Sequence, residues 1–205
     1  MKINRTWQTG AGLRRAGRCM LLLGLLAVWL TGISTARAAP VDQMTEDKVK
    51  VAFVYNFIKF VQWPDEAPDE APDETPEAGP VRLCVLGAGT VADLMKDLEG
   101  KSVHGRKLQV ILDQTPSGST DTPVCHALYL AGTCSDQKMA QALQNLKRVP
   151  VLTVSDKRGF ASQGGMIELF RKGRKLRFKI NLAAAREANL KISSKLLKLA
   201  MNVID

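Results

Sequence analysis

Two histidines, His104 and His126, three cysteines beyond the N-terminal apolar run, Cys84, Cys125 and Cys134, and two carboxylates in one central motif, Asp156 and Glu168, are the side chains on which chemistry would have to rest. A metal site built from His104, His126, Cys134 and an aspartate would have the right donor atoms, but the spacing matches no recognised ligand pattern. Hydrolysis by a serine nucleophile would need a Ser-His-Asp order or a nucleophile elbow, and the chain carries neither. An acid–base enzyme would need a convergent pair such as His104 and Asp156 in one cleft. The Gly87-Ala88-Gly89 turn follows a strand-like run, the setting in which helix amides attract phosphate. Its spacing is GxG only, without the third glycine and downstream acid of a dinucleotide site. The motifs therefore assign no catalytic, cofactor-binding or metal-ligating residues.

The elements that would position these groups centre on residues 149–181, VPVLTVSDKRGFASQGGMIELFRKGRKLRFKIN. An apolar run from Val149 to Val154 predicts a buried strand ending at Ser155-Asp156, where loop amides can bind the carboxylate. Gly159 to Gly165 marks a long ordered loop, with Phe160 as a plug into the core. Met166–Phe170 and Leu176–Ile180, joined at Lys172-Gly173-Arg174, predict an antiparallel hairpin.

Upstream, residues 42–63 predict a long helix, with Thr45 as candidate N-cap. Val49, Ala52, Phe53, Asn56, Phe57 and Phe60 share one side of it, and Val51, Val54, Tyr55, Ile58 and Val61 broaden the apolar surface. Asn56 on that face calls for a buried hydrogen-bond partner. Trp63-Pro64 closes the element. Strands are expected at 81–86, 108–112 and 127–130, and helices at 91–98, capped by Thr90, and from Ser135 or Asp136 to Leu146. Asn181 is expected to cap a short helix to Ala188, with Asn189 breaking it, and Ser193 or its neighbour to start the last one. Alternating strands and helices predict a single α/β domain with a mostly parallel central sheet, flanking helices and a C-terminal antiparallel hairpin.

Residues 1–18 are basic without an acid, residues 19–30 are a short apolar core, and Ala36-Arg37-Ala38 fits small-x-small cleavage. This predicts a signal peptide over 1–38 and an exported domain over 39–205, since the apolar core falls short of the roughly 20 residues of a spanning helix. The leader holds six of the chain's 29 basic residues, leaving a formal +3 and little electrostatic case for nucleic-acid binding. Residues 65–80, DEAPDEAPDETPEAGP, carry seven acidic side chains broken by proline and read as an exposed loop, with no spacing that specifies a calcium cage. Residues 157–198 hold twelve basic side chains against two acidic ones, which is either a solvated face or a docking surface for an acidic partner or anionic headgroups. In an oxidising compartment three cysteines suit one disulfide and one thiol. Cys84 and Cys125 border strand-like runs that can be neighbours; Cys125–Cys134 is the rival, set back by the extended strand between them.

The segments VKVAFVYNFIKFVQWP (49–64), RLCVLG (82–87), VHGRKLQV (103–110), CHALYL (125–130), VLTVSDKRGFASQGGMIELF (151–170) and LRFKINLAAAREANLKISSKLLKLA (176–200) together resemble the YfiR family of small periplasmic proteins. The resemblance implies a non-enzymatic repressor or adaptor without cofactors. Its partner would be the periplasmic sensor part of an inner-membrane diguanylate cyclase, in cyclic-di-GMP regulation, or a sensor kinase. Capture by an OmpA-like outer-membrane lipoprotein would relieve the repression. It also implies a homodimer of one α/β domain and a disulfide at the positions of Cys84 and Cys125. A second bridge near the glycine-rich loop, found in some members, has no counterpart here, so packing and hydrogen bonds alone must hold 159–165. The acidic repeat at 65–77 departs from the family's shorter connection. A periplasmic small-molecule sensor, motivated by the GAG turn and the basic C-terminal half, is the alternative.

Overall fold

The computed structural model describes residues 40–64, 79–113 and 125–205. The leader read over 1–38 and nearly all of the acidic run at 65–80 lie outside the described residues. The first element is a helix, α1 (Pro40–Lys59). It is followed by β1 (Val61–Gln62), β2 (Val81–Leu86), α2 (Thr90–Leu94) running into a 3-10 turn at Met95–Leu98, β3 (Ser102–Val103) and β4 (Arg106–Leu112). Then come β5 (Ala127–Leu130), α3 (Asp136–Asn145), β6 (Leu152–Ser155), β7 (Ile167–Lys172) and β8 (Lys175–Asn181). The chain ends through α4 (Leu182–Glu187), β9 (Lys191–Ile192), α5 (Ser194–Leu199) and β10 (Asn202–Ile204).

The sheet order is β10-β8-β7-β6-β5-β2-β4-β3. The pairs β2–β4, β2–β5, β5–β6, β6–β7 and β10–β8 are parallel, while β7–β8 and β3–β4 are antiparallel, so the sheet is mixed. The near-continuous apolar strands β2, β5 and β6 take its centre, as expected where both faces are covered. Their side chains alternate between two cores. Leu83, Val85, Ala127 and Tyr129 join α1 and the residues around it, whereas Cys84, Leu86, Leu128 and Leu130 pack with Met139, Ala142 and Leu146 of the α3 side and with Phe160.

Four expectations are corrected by the structure. The first helix starts at Pro40, so Thr45 lies inside it rather than capping it. It ends at Lys59, because Val61–Gln62 pairs antiparallel with Lys191–Ile192, and the amide of Ser193 donates to the Phe60 carbonyl. A long-range ladder thus replaces a last helical turn at a β-branched residue. Asn56 is exposed, along with Ala52 and Val49, while Asp47, Val51, Val54, Phe57 and Ile58 face the sheet. In a helix apolar on most sides, the sheet it meets sets the phase; here Phe53 and Phe57 pack against Phe178 of β8, with ring centroids 5.8 and 4.9 Å away. Finally, Thr90 is the first helical residue of α2 behind Gly89, without a side-chain cap, and the element tightens to 3-10 after five residues.

The remaining caps follow the sequence. Ser135, Asn181 and Ser193 accept from Lys138, Ala184 and Lys195 amides at the starts of α3, α4 and α5. Asn189 adopts a left-handed φ of 56° just beyond α4, where asparagine is tolerated.

Candidate functional site

A cluster of charges meets at the carboxyl ends of β5 and β6. Asp156 follows β6 directly; its Oδ1 accepts the Gly132 amide at 2.7 Å, and its Oδ2 accepts from Lys50 Nζ of α1 at 2.9 Å. Lys50 also lies 3.4 Å from Asp47 and 3.9 Å from Glu46. Gln43 donates to Asp47, and Arg171 of β7 pairs with Glu46 at 3.1 Å. Gly132 lets the backbone approach the carboxylate closely: a Cβ there would sit 2.9 Å from Asp156 Oδ1 and push it aside. Burial by itself would lower the Lys50 pKa, but the hydrogen bond and charge of Asp156, with Asp47 and Glu46, outweigh it and leave the ammonium group above its ordinary 10.5. Beneath this cluster Tyr129 is fully buried, and its hydroxyl has no hydrogen-bond partner among the described residues. Burial first, then the Asp156 charge, drives its pKa upward, so it stays protonated. The arrangement pins α1 to the ends of β5 and β6. A carboxylate already engaged by an ammonium and an amide is a structural anchor rather than a poised base.

The loop from Lys157 to Met166 crosses from β6 to its parallel neighbour β7 without a long helix. Phe160 fills the second core, as expected of a plug. The Ala161 amide donates to the buried Glu168 carboxylate at 3.2 Å, and Asn181 Nδ2 donates to the Ala161 carbonyl at 2.9 Å. Met166 N donates to Thr153 Oγ1 at 3.0 Å, and Lys179 Nζ reaches Glu168 at 3.3 Å. Gly165 lies so close to Phe160 that a Cβ would overlap its ring. Packing and hydrogen bonds therefore hold this loop. Lys157 adds a tether at its start, donating to the Cys134 carbonyl at 2.7 Å.

In an open α/β sheet, ligands bind where strand order reverses, outside the carboxyl ends of the strands. Here that point lies between β2 and β5, beside the GAG turn. The loop after β5 occupies it. Thr133 Oγ1 donates to the Ala88 carbonyl at 2.7 Å, and the Cys134 thiol donates to the Leu86 carbonyl at 3.2 Å. Cys134 Sγ would lie 2.7 Å from a Cβ on Gly87, whose φ is 98°. The glycine thus makes room for the chain's own thiol. Burial raises the Cys134 pKa, against the lowering influence of Lys138 and Lys157.

The disulfide joins Cys84 of β2 to Cys125, two residues before β5, with Cα atoms 5.8 Å apart. Parallel pairing of these strands brings the two cysteines into range, and Cys134 is left as a buried thiol. The histidines meet elsewhere, around Trp63: ring centroids lie 6.1 Å away for His104 and 5.8 Å for His126. Trp63 Nε1 donates to the His126 carbonyl, and the Arg82 amide donates to His126 Nδ1. His104 contacts the Lys59 carbonyl at the end of α1, whereas Asp156 is bound to Lys50. Those two helix positions are nine residues apart, roughly 13 Å of rise, so the His104–Asp156 pair of an acid–base enzyme is not assembled. The described residues contain no group of three or more His, Cys, Asp or Glu able to hold a metal ion.

Lys50 is the participant that sequence reasoning missed. Its one signal was its spacing, four residues after Glu46 and three after Asp47 on the predicted helix. The order of motifs, the disulfide and the Asp156 anchor all lie within one matched span. The YfiR/HmsC-like family, designated DUF4154, matches residues 47–201, and the chain belongs to it.

Proposed function

We propose that the chain is exported by its N-terminal leader and acts in the periplasm as a non-enzymatic repressor or adaptor. It would bind the sensor part of an inner-membrane diguanylate cyclase or sensor kinase as a homodimer, with release through an OmpA-like outer-membrane lipoprotein. The observation that carries this reading is the family match across nearly all of the folded unit. The Cys84–Cys125 bridge supports an oxidising compartment. The test is cross-linking of the mature chain in intact cells, followed by identification of bound inner-membrane proteins. A cyclase or kinase with a periplasmic segment is the expected capture; recovery of none, under both oxidising and reducing conditions, would overturn the role. The small-molecule reading is weakened by the loop filling the crevice beside the GAG turn. Saturable heat in calorimetry with a metabolite panel would restore it.

A further inference from the structure

Large exposed apolar side chains among the described residues fall in two places, Met44 and Val49 on α1, and Leu199, Met201 and Val203 beside the last strand. The second place combines three features. First, β10 covers β8 only at Lys179, Ile180 and Asn181. The Met201 amide donates to the Phe178 carbonyl, and the Asn181 amide points the other way, to Met166. Within a strand the backbone groups alternate sides residue by residue, so Leu176 directs its N–H and C=O outward, where no strand of the described residues lies opposite. Second, Lys172, Lys175 and Arg177 line a groove of about 460 Å³ with Leu199 and Met201. Third, these three cations form no ion pair among the described residues, although their neighbours Arg171 and Lys179 do. Lys172 stands directly opposite Lys175 in the ladder, a like-charge pair that costs stability until an anion neutralises it.

We propose that the open half of β8 accepts an extended, acidic segment of a partner protein as an added strand. Leu176 would supply the backbone hydrogen bonds, Lys172, Lys175 and Arg177 would meet carboxylates, and Leu199 and Met201 would take an apolar side chain. The proposal rests on the reading that the protein works by binding other proteins, and it names the surface and the chemistry of the partner.

The probe is a capped octapeptide of alternating Glu and Val, compared with the same peptide N-methylated at alternate amides. N-methylation keeps the charge and removes strand pairing. The folded mature chain should bind the first saturably, with exchange of the Leu176 amide slowed roughly tenfold or more. The N-methylated peptide should fail to slow it, and Lys175→Glu/Arg177→Glu should weaken binding roughly tenfold or more while leaving the melting curve intact. Equal binding of the N-methylated peptide would reduce the site to nonspecific charge attraction and overturn the proposal. So would protection of Leu176 by anionic vesicles alone, or protection that rises with protein concentration without peptide, marking a membrane face or a self-interface. If the double variant still captures the membrane partner but loses the peptide, the strand site is wrong and the adaptor reading stands; if the wild type captures no membrane protein yet Leu176 is protected by peptide, the reverse holds.

Discussion

At the scale of single residues, Lys50 decides how the molecule spends its buried charge. One ammonium group serves Asp156, Asp47 and Glu46, and its side chain is only 12% exposed. Replacing it with methionine keeps the packing of its stem and leaves Asp156 and Asp47 without their cation, while Glu46 keeps Arg171. Lys50→Met should therefore lose about 3 kcal/mol in urea unfolding at pH 7, the lower end of the cost of breaking a buried pair. The pH dependence has a definite sign. The folded-state pKa is raised above 10.5, so the contribution is complete below that value and is lost as pH rises through the folded pKa. The difference between wild type and variant should hold constant from pH 7 to 9 and shrink above about 10.5; a constant gap at pH 11 would contradict it. Asp156 was legible in sequence as a residue ending a buried strand, but its partner lies 106 residues away on a helix whose buried side the apolar pattern misplaced. Asn56 shows the same limit. Its exposure follows from where the sheet meets α1, which no local pattern records.

At the scale of elements, the loop between β6 and β7 shows how glycine and an aromatic ring specify a crossover that lacks a long helix. Phe160 closes the second core, and Gly165 leaves room for its ring. Gly165→Ala should cost about 1–3 kcal/mol through overpacking. Phe160→Leu alone should cost a similar amount by leaving a void. The two changes touch the same space, so the double variant should lose less than the sum, with a coupling of about 1 kcal/mol in a double-mutant cycle. Strict additivity would show that the ring and the glycine act independently. The long apolar runs, the hairpin turn and the caps at Ser135, Asn181 and Ser193 were legible, because each rests on periodicity or on side-chain hydrogen bonds within a few residues. The ladders β1–β9 and β10–β8 were not, since each needs two or three residues from distant segments and leaves no repeat to detect.

At the scale of the whole molecule, one covalent bond ties stability to redox conditions. Cys84 and Cys125 are 41 residues apart in sequence and join the central strand β2 to the entry of β5. On the chain-entropy account, closing that loop stabilises the fold by about 4 kcal/mol, a large share of the roughly 5–15 kcal/mol by which domains are stable. Spread over the unit Pro40–Asp205, this corresponds to a fall of about 10–15 °C in Tm on reduction. Reduction with a thiol reagent and the Cys84→Ser/Cys125→Ser variant should give the same lowered Tm, and oxidant should restore only the wild type. Cys134 is buried behind Thr133 and the GAG turn, so it should remain a single unpaired thiol in the oxidised protein, titrating only after unfolding. If reduction leaves Tm unchanged, the bond adds nothing to the fold and the structural argument for an oxidising compartment fails, leaving export to rest on the leader sequence alone.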